Sequence, residues 1–219
     1  MTIHKEGYKT IAVATTGLFL LNLVVYHLVG KSLLFYFLLA VSISLFLIII
    51  NFFRKPIRIF NVENNNIIVS PADGTVVVIE EVMENDFFHN KRLQVSIFMS
   101  VFNVHINWIP IKGKILHASH QRGRFMAAYL PKSSVDNERS SIIIKTESGT
   151  EILLRQVAGA LAKRVVTYLK EGQDCWINQQ LGFIKFGSRV DLYLPLDTEI
   201  LVEPYDKVYG NKTVIARLK

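Results

Sequence analysis

The sequence predicts a mainly β protein, with an N-terminal transmembrane helical hairpin ahead of a compact β-sandwich or partly closed barrel carrying one or two short helices. Three observations lead there. Two long apolar runs stand almost back to back before Arg54. Beyond Ile67 the chain breaks into short alternating stretches separated by turn residues. Helical periodicity in that second part is scarce. A chain of 219 residues has room for one ordinary domain and an added module, and the natural division is 1–58 and 59–219.

The first apolar run covers Thr10 to Val29, the second Ser32 to Phe53, with Gly30-Lys31 between them. Each is about 20 residues, enough to cross a hydrocarbon core as a helix. Two such runs without a small-residue cleavage site do not fit a signal peptide. So short a link forces an antiparallel hairpin whose backbone groups are satisfied within each helix. Asn22 and His27 interrupt the apolar surface and are expected to bond across the helices or lie near the interface. Lys5 and Lys9 precede the hairpin, Arg54, Lys55 and Arg58 follow it, and the turn holds only Lys31. The positive-inside rule then puts both ends, and the domain that follows, in the cytoplasm. Pro56 discourages further helix where the charges begin.

Nine segments read as strands: Ile67–Val69, Thr75–Val82, Leu93–Met99, Val104–Ile109, Ser141–Lys145, Glu151–Val157, Val190–Leu194, Glu199–Val202 and Thr213–Ala216. Ser148-Gly149 is a hairpin turn between two of them. Ala160–Leu169 is the better helix candidate and Arg124–Leu130 a short one. Glycine patterns for dinucleotides or for a P-loop do not occur. The one cysteine, Cys175, cannot close an internal disulfide, and no Cys/His cluster has metal-ligand spacing, so no metal is expected. Cys175 itself reads as a small core residue in a strand. The net charge of +7 calls for an acidic partner. Without an RNP, zinc-finger or helix-turn-helix signature, that partner is expected to be membrane lipid and not nucleic acid.

Three places carry possible chemistry. Ser70-Pro-Ala-Asp-Gly74 presents Asp73 in what is also an ordinary turn sequence. Val101–Asn107 places His105 in an alternating apolar stretch, where a packed histidine with satisfied nitrogens is the ordinary reading. Gly187-Ser188 lies between two stretches that alternate like strands, and a glycine there also suits a turn or bulge. Together they supply carboxylate, imidazole and hydroxyl, a set able to activate serine. A serine hydroxyl can attack the carbonyl before it, and Gly187 leaves that carbonyl unhindered. Chain order does not establish adjacency, so other readings stay open. A non-catalytic membrane-anchored adaptor or carrier-like β-domain explains the hairpin and strands but gives the three residues no common purpose. A lipid-directed serine hydrolase would need a Gly-x-Ser-x-Gly elbow; Phe186 and Val190 stand where those glycines belong.

Taken in order, Phe52-Phe-Arg-Lys-Pro-Ile-Arg58, Ser70–Gly74, Phe102-Asn-Val-His-Ile-Asn107, Asn137-Glu-Arg139, Gln156–Lys163 and Phe186-Gly-Ser-Arg-Val190 resemble the phosphatidylserine decarboxylase proenzymes in their short, membrane-hairpin (type A) form. The resemblance covers essentially the whole chain. It implies autocatalytic cleavage between Gly187 and Ser188, driven by Asp73 and His105, with Ser188 converted to a covalent pyruvoyl cofactor. The products 1–187 and 188–219 would stay together as a heterodimer. The implied reaction is decarboxylation of the serine head group of a membrane phospholipid to an ethanolamine head group; a serine ether lipid of archaeal type presents the same reacting atoms. Arg122, Arg124, Lys163 and Arg164 are candidate partners for the phosphate and carboxylate of that lipid. Phe125–Leu130 is a candidate for dipping into the head-group region, with an exposed part expected. Two departures stand out. Longer members carry a second histidine where this chain has Phe102, and their Leu-Gly-Ser-Thr cleavage sequence is Phe-Gly-Ser-Arg here.

Overall fold

The computed structural model describes residues 1–62, 64–123, 137–159, 164–185 and 188–219. Two compact units make up the chain, Met1–Ile57 and Arg58–Lys219. In the first, α1 (Tyr8–Val29) and α2 (Leu33–Phe52) are both long and apolar enough to cross a membrane. Gly30, at φ 62°, closes α1 with its N–H on the Tyr26 carbonyl, and the Ser32 hydroxyl caps α2 by accepting the Phe35 N–H at 3.3 Å. Asn22 donates across the pair to Ser42 at 2.9 Å, the interhelical bond expected of a polar residue in an apolar helix. Below the helices, β1 (Thr2–Ile3) pairs with β2 (Arg54–Lys55), tying the two ends of the hairpin together.

The second unit is built from β3 (Ile67–Val69), β4 (Gly74–Glu84), β5 (Asn90–Met99), β6 (Ile106–Trp108), β7 (Gly113–Gln121), β8 (Arg139–Lys145) and β9 (Glu151–Ala158). It continues with β10 (Val165–Thr167), β11 (Asp174–Cys175), β12 (Gln180–Ile184), β13 (Ser188–Leu194), β14 (Glu199–Ile200), β15 (Lys207–Val208) and β16 (Val214–Arg217). Eight of these form one curled antiparallel sheet in the order β11-β7-β8-β9-β13-β5-β4-β15, a half-barrel. Two three-stranded sheets, β10-β12-β6 and β14-β16-β3, complete the framework. Alternation fixes which side of β13 is which. Val190, Leu192 and Leu194 join Ile152 and Leu154 of β9, Val95 and Ile97 of β5, Leu181 and Ile184 of β12, and Ile215 of β16 in one core. Each such side chain, fully buried, contributes about 1.5–3 kcal/mol of transfer free energy.

The β8–β9 hairpin turns at Ser148-Gly149 as its sequence suggests: Gly149 sits at φ 89°, a left-handed value that suits glycine. Cys175 is a buried strand residue, and burial pushes its thiol up to about 11. Among the described residues of the second unit none is helical. Within Ala160–Leu169, the described part corrects the helical expectation. Val165-Val-Thr167 is a β-branched run and pairs with Gly182–Ile184 as β10. Residues 160–163 and the Arg124–Leu130 candidate, with Phe125–Leu130 inside it, lie outside the described residues. Strand β7 escaped the pattern because a register shift between Ile115 and His117 breaks its alternation.

Candidate active site

Ser188 is the first residue of β13, the strand that sits between β5 and β9, and is paired with Met99 on one side and Ala158 on the other. It is fully buried. Because residues two apart share a face, its side chain lies on the core side with Val190. There the hydroxyl donates to the Met99 sulfur at 3.3 Å. The same sulfur receives the Asn107 amide at 3.6 Å. Asn107 in turn accepts from Gln156 at 2.7 Å, and Gln156 accepts from the Thr167 hydroxyl at 2.8 Å, which lies 2.7 Å from the Ser140 hydroxyl. The core facing Ser188 is therefore a chain of neutral, mutually satisfied polar groups.

His105 immediately precedes β6 and is fully buried. Its carbonyl accepts the Ile184 N–H at 3.2 Å, so the histidine lies beside the strand that leads, four residues later, to Ser188. Its Nδ1 is 3.0 Å from the Asn103 carbonyl. A carbonyl can only accept, so Nδ1 carries the proton and, in the neutral ring, Nε2 carries the lone pair. His105 stands two residues before Asn107, whose amide reaches the Met99 sulfur.

Asp73 is buried in the turn before β4. That turn is stitched to the His105 strand by the Trp108 N–H, which donates to the Pro71 carbonyl at 2.9 Å. The Asp73 carboxylate itself is taken by Arg58, which grips both oxygens (Nη2–Oδ2 2.9 Å), and by the Gly210 N–H at 2.8 Å. So the structure joins the Asp73 turn to the His105 strand through backbone, while the carboxylate faces a guanidinium and not the imidazole. Of the basic residues expected to meet the lipid, Arg164 is exposed and its carbonyl accepts the Lys185 N–H at 3.2 Å, beside the segment entering Ser188. Arg122 is exposed just past the end of β7. Gly187, Arg124 and Lys163 lie outside the described residues.

Asn107 and Gln156 sit within stretches that resemble a known family, but their mutual bond spans 49 positions, a distance along the chain that local pattern does not register. Arg58 was legible as one of the positive charges flanking the hairpin and as the last residue of the Phe52–Arg58 stretch, with no sign of its contact to Asp73.

The opposite face of the same strands holds a buried ionic cluster. Arg155 contacts Glu84 at 3.2 Å, Asp86 at 2.8 Å and the Tyr193 hydroxyl at 3.1 Å. Burial alone would raise the Glu84 carboxyl. The N–H groups of Phe88, Phe87 and Asp86, with Arg155, more than offset this and hold it below the ordinary 4.5. A depressed carboxylate contributes stability that is fully present above pH 4.5 and lost as pH falls through the lower folded value. Arg155→Ala is expected to cost about 3–5 kcal/mol at pH 7, since it strands buried charge. The deficit relative to wild type should shrink below pH 4, measured by denaturant titration across pH 3–7.

A buried serine heads a doubly paired central strand, with a buried histidine beside the strand that leads to it, in a β-domain that follows two helices long and apolar enough to cross a membrane. The sequence model for phosphatidylserine decarboxylase matches residues 45–216. A phosphatidylserine decarboxylase proenzyme of Parabacteroides distasonis is 56% identical over 218 residues, covering 100% of this chain and 99% of its own. Those of Porphyromonas gingivalis (51% over 219 residues; 100% and 99%) and Bacteroides thetaiotaomicron (50% over 217; 99% and 95%) are similar over the same extent. The chain belongs to the phosphatidylserine decarboxylase family and is an enzyme.

Proposed function

We propose that the protein decarboxylates phosphatidylserine to phosphatidylethanolamine, after cutting its own backbone between Gly187 and Ser188. One observation carries this reading: the residue after the scissile bond opens a strand that is hydrogen-bonded on both sides. A break before Ser188 leaves Ser188–Leu194 paired with β5 and β9, Lys207–Val208 with β4, and Val214–Arg217 with β3. The C-terminal product 188–219 thus remains part of the fold without a covalent link.

The cleavage asks the following of the chain's own residues. The Ser188 oxygen attacks the Gly187 carbonyl carbon while His105 Nε2 takes the hydroxyl proton, and the 187–188 amide becomes an ester as the amine of residue 188 is released. Loss of the α-proton of residue 188 then expels the Gly187 carboxylate. The dehydroalanine left behind tautomerises, and water replaces its nitrogen as ammonia. Asp73, through the turn bonded to Trp108, supports the His105 strand.

The pyruvoyl carbonyl so formed supplies an electron sink for loss of carbon dioxide, which ordinary side chains lack. The surroundings of residue 188 fit such a group: the position is buried, and Met99, Asn107 and Gln156 on that side of the strand bring no competing charge. With Phe102 exposed where longer members have a second histidine, His105 is the proton carrier in turnover as well. Arg164, with Arg122, Arg124 and Lys163, attracts the phosphate and carboxylate of the lipid. The two apolar helices hold the enzyme in the cell membrane, with its catalytic domain on the cytoplasmic side.

The test is carbon dioxide release from phosphatidylserine in mixed micelles by the purified protein. Release that is abolished by pretreatment with phenylhydrazine, a carbonyl trap, is expected. Release indifferent to the trap, or none from cleaved protein, would overturn the reading.

A further inference from the structure

Arg58 is the first residue after the helical unit, and the domain receives it in a built seat. Its guanidinium grips both Asp73 oxygens and donates to the Gly210 carbonyl at 2.8 Å, while Gly210 donates its own N–H back to Asp73. The guanidinium carbon stands 5.2 Å from the centre of the Trp108 ring. A side chain at position 210 would meet that ring at 2.5 Å, so the glycine keeps the seat open. The side chains of the pair are 10% and 5% exposed, too little for water to screen them.

The backbone of Arg58 and Phe60 is held as well. Asn178 accepts the Phe60 N–H at 2.7 Å and donates to the Phe60 carbonyl at 3.0 Å. Asn211 donates to the Asn178 side chain at 2.6 Å and to the Arg58 carbonyl at 3.2 Å. Both asparagines adopt left-handed backbone, φ 75° and 56°, a conformation asparagine tolerates better than most residues. Four elements distant in sequence therefore converge on residues 58–60: the Asp73 turn, the Trp108 strand end, and the turns at 178 and 210–211.

We propose that Arg58 is a positioning residue for self-cleavage. Seated, it fixes the Asp73 turn, and through the Pro71–Trp108 bond the strand carrying His105, so that the precursor matures only once the segment leaving the helical pair has docked. This rests on the cleavage reading above. A carboxylate buried without its guanidinium would turn away or take up a proton, and the turn bonded to the His105 strand would lose its anchor.

The test follows the full-length precursor, synthesised without cells into phospholipid nanodiscs and chased with time. The rate constant of cleavage and the final fraction cleaved are read separately. Arg58→Ala is expected to lower the rate constant by at least roughly tenfold. Arg58→Lys, which keeps the charge but cannot bridge two oxygens in a plane, falls between it and wild type. Millimolar guanidinium ion restores rate to the Arg58→Ala protein and not to Asp73→Asn. In the Asp73→Asn background, Arg58→Ala adds no further slowing. A purely structural ion pair would instead reduce the fraction cleaved and leave the rate constant of Arg58→Ala and Arg58→Lys at the wild-type value, which overturns the proposal. Wild type that never splits, or Ser188→Ala that splits, overturns the cleavage reading and this proposal with it.

Discussion

Ser188→Ala is expected to give one uncut chain with no decarboxylase activity. The hydroxyl oxygen is the attacking atom, and without the ester it forms residue 188 can neither eliminate nor become a carbonyl group, so its removal ends both maturation and turnover, and the described side chains beside it do not replace it. Met99 offers sulfur without a proton, and Asn107 and Gln156 offer amides, none of them an acyl acceptor of comparable strength. The fold should survive. Alanine loses one weak bond to sulfur and keeps every backbone pairing of β13, so the uncut variant should melt close to the mature wild type. Gel mobility and differential scanning calorimetry check the two halves of this statement.

The second large effect belongs to His105. Its Nδ1–H is committed to the Asn103 carbonyl, which fixes the ring and the tautomer, leaving Nε2 as the base. General-base contributions of this kind are worth about 10²–10⁴-fold, and the cleavage rate of His105→Ala should fall by that much. Because one histidine serves both steps, slow-cleaving His105→Ala that is left to mature fully should still be impaired in carbon dioxide release. Cleavage at the wild-type rate would assign the proton transfer to water or to another residue.

How much of this could be read beforehand differs by element. The helical pair was plain, since an apolar run of that length declares itself by composition. The core of the half-barrel was legible wherever alternation is clean, as in β5, β9 and β13. It was lost in β7, where a bulge shifts the phase, and in Val165–Thr167, where a stretch starting in alanines suggested helix but β-branched residues and a partner strand prevailed. The serine and the histidine were picked out by chemical type and local setting, both of which are properties of a few neighbouring residues. The role of Arg58 was not, because its partners stand 15 and 152 positions away and its immediate neighbours are the basic residues that close a membrane hairpin. Likewise the Asn178–Asn211 lock joins two turns that look unremarkable separately. Local pattern finds reactive groups; the contacts that hold them are set by topology.

The central claim is a single broken peptide bond, and intact-mass measurement of the purified wild-type protein addresses it directly. Two chains corresponding to residues 1–187 and 188–219 are expected, the shorter lacking a free α-amine and gaining mass with phenylhydrazine. One chain of 219 residues in protein that releases carbon dioxide from phosphatidylserine, or a cut at any other bond, would contradict the account.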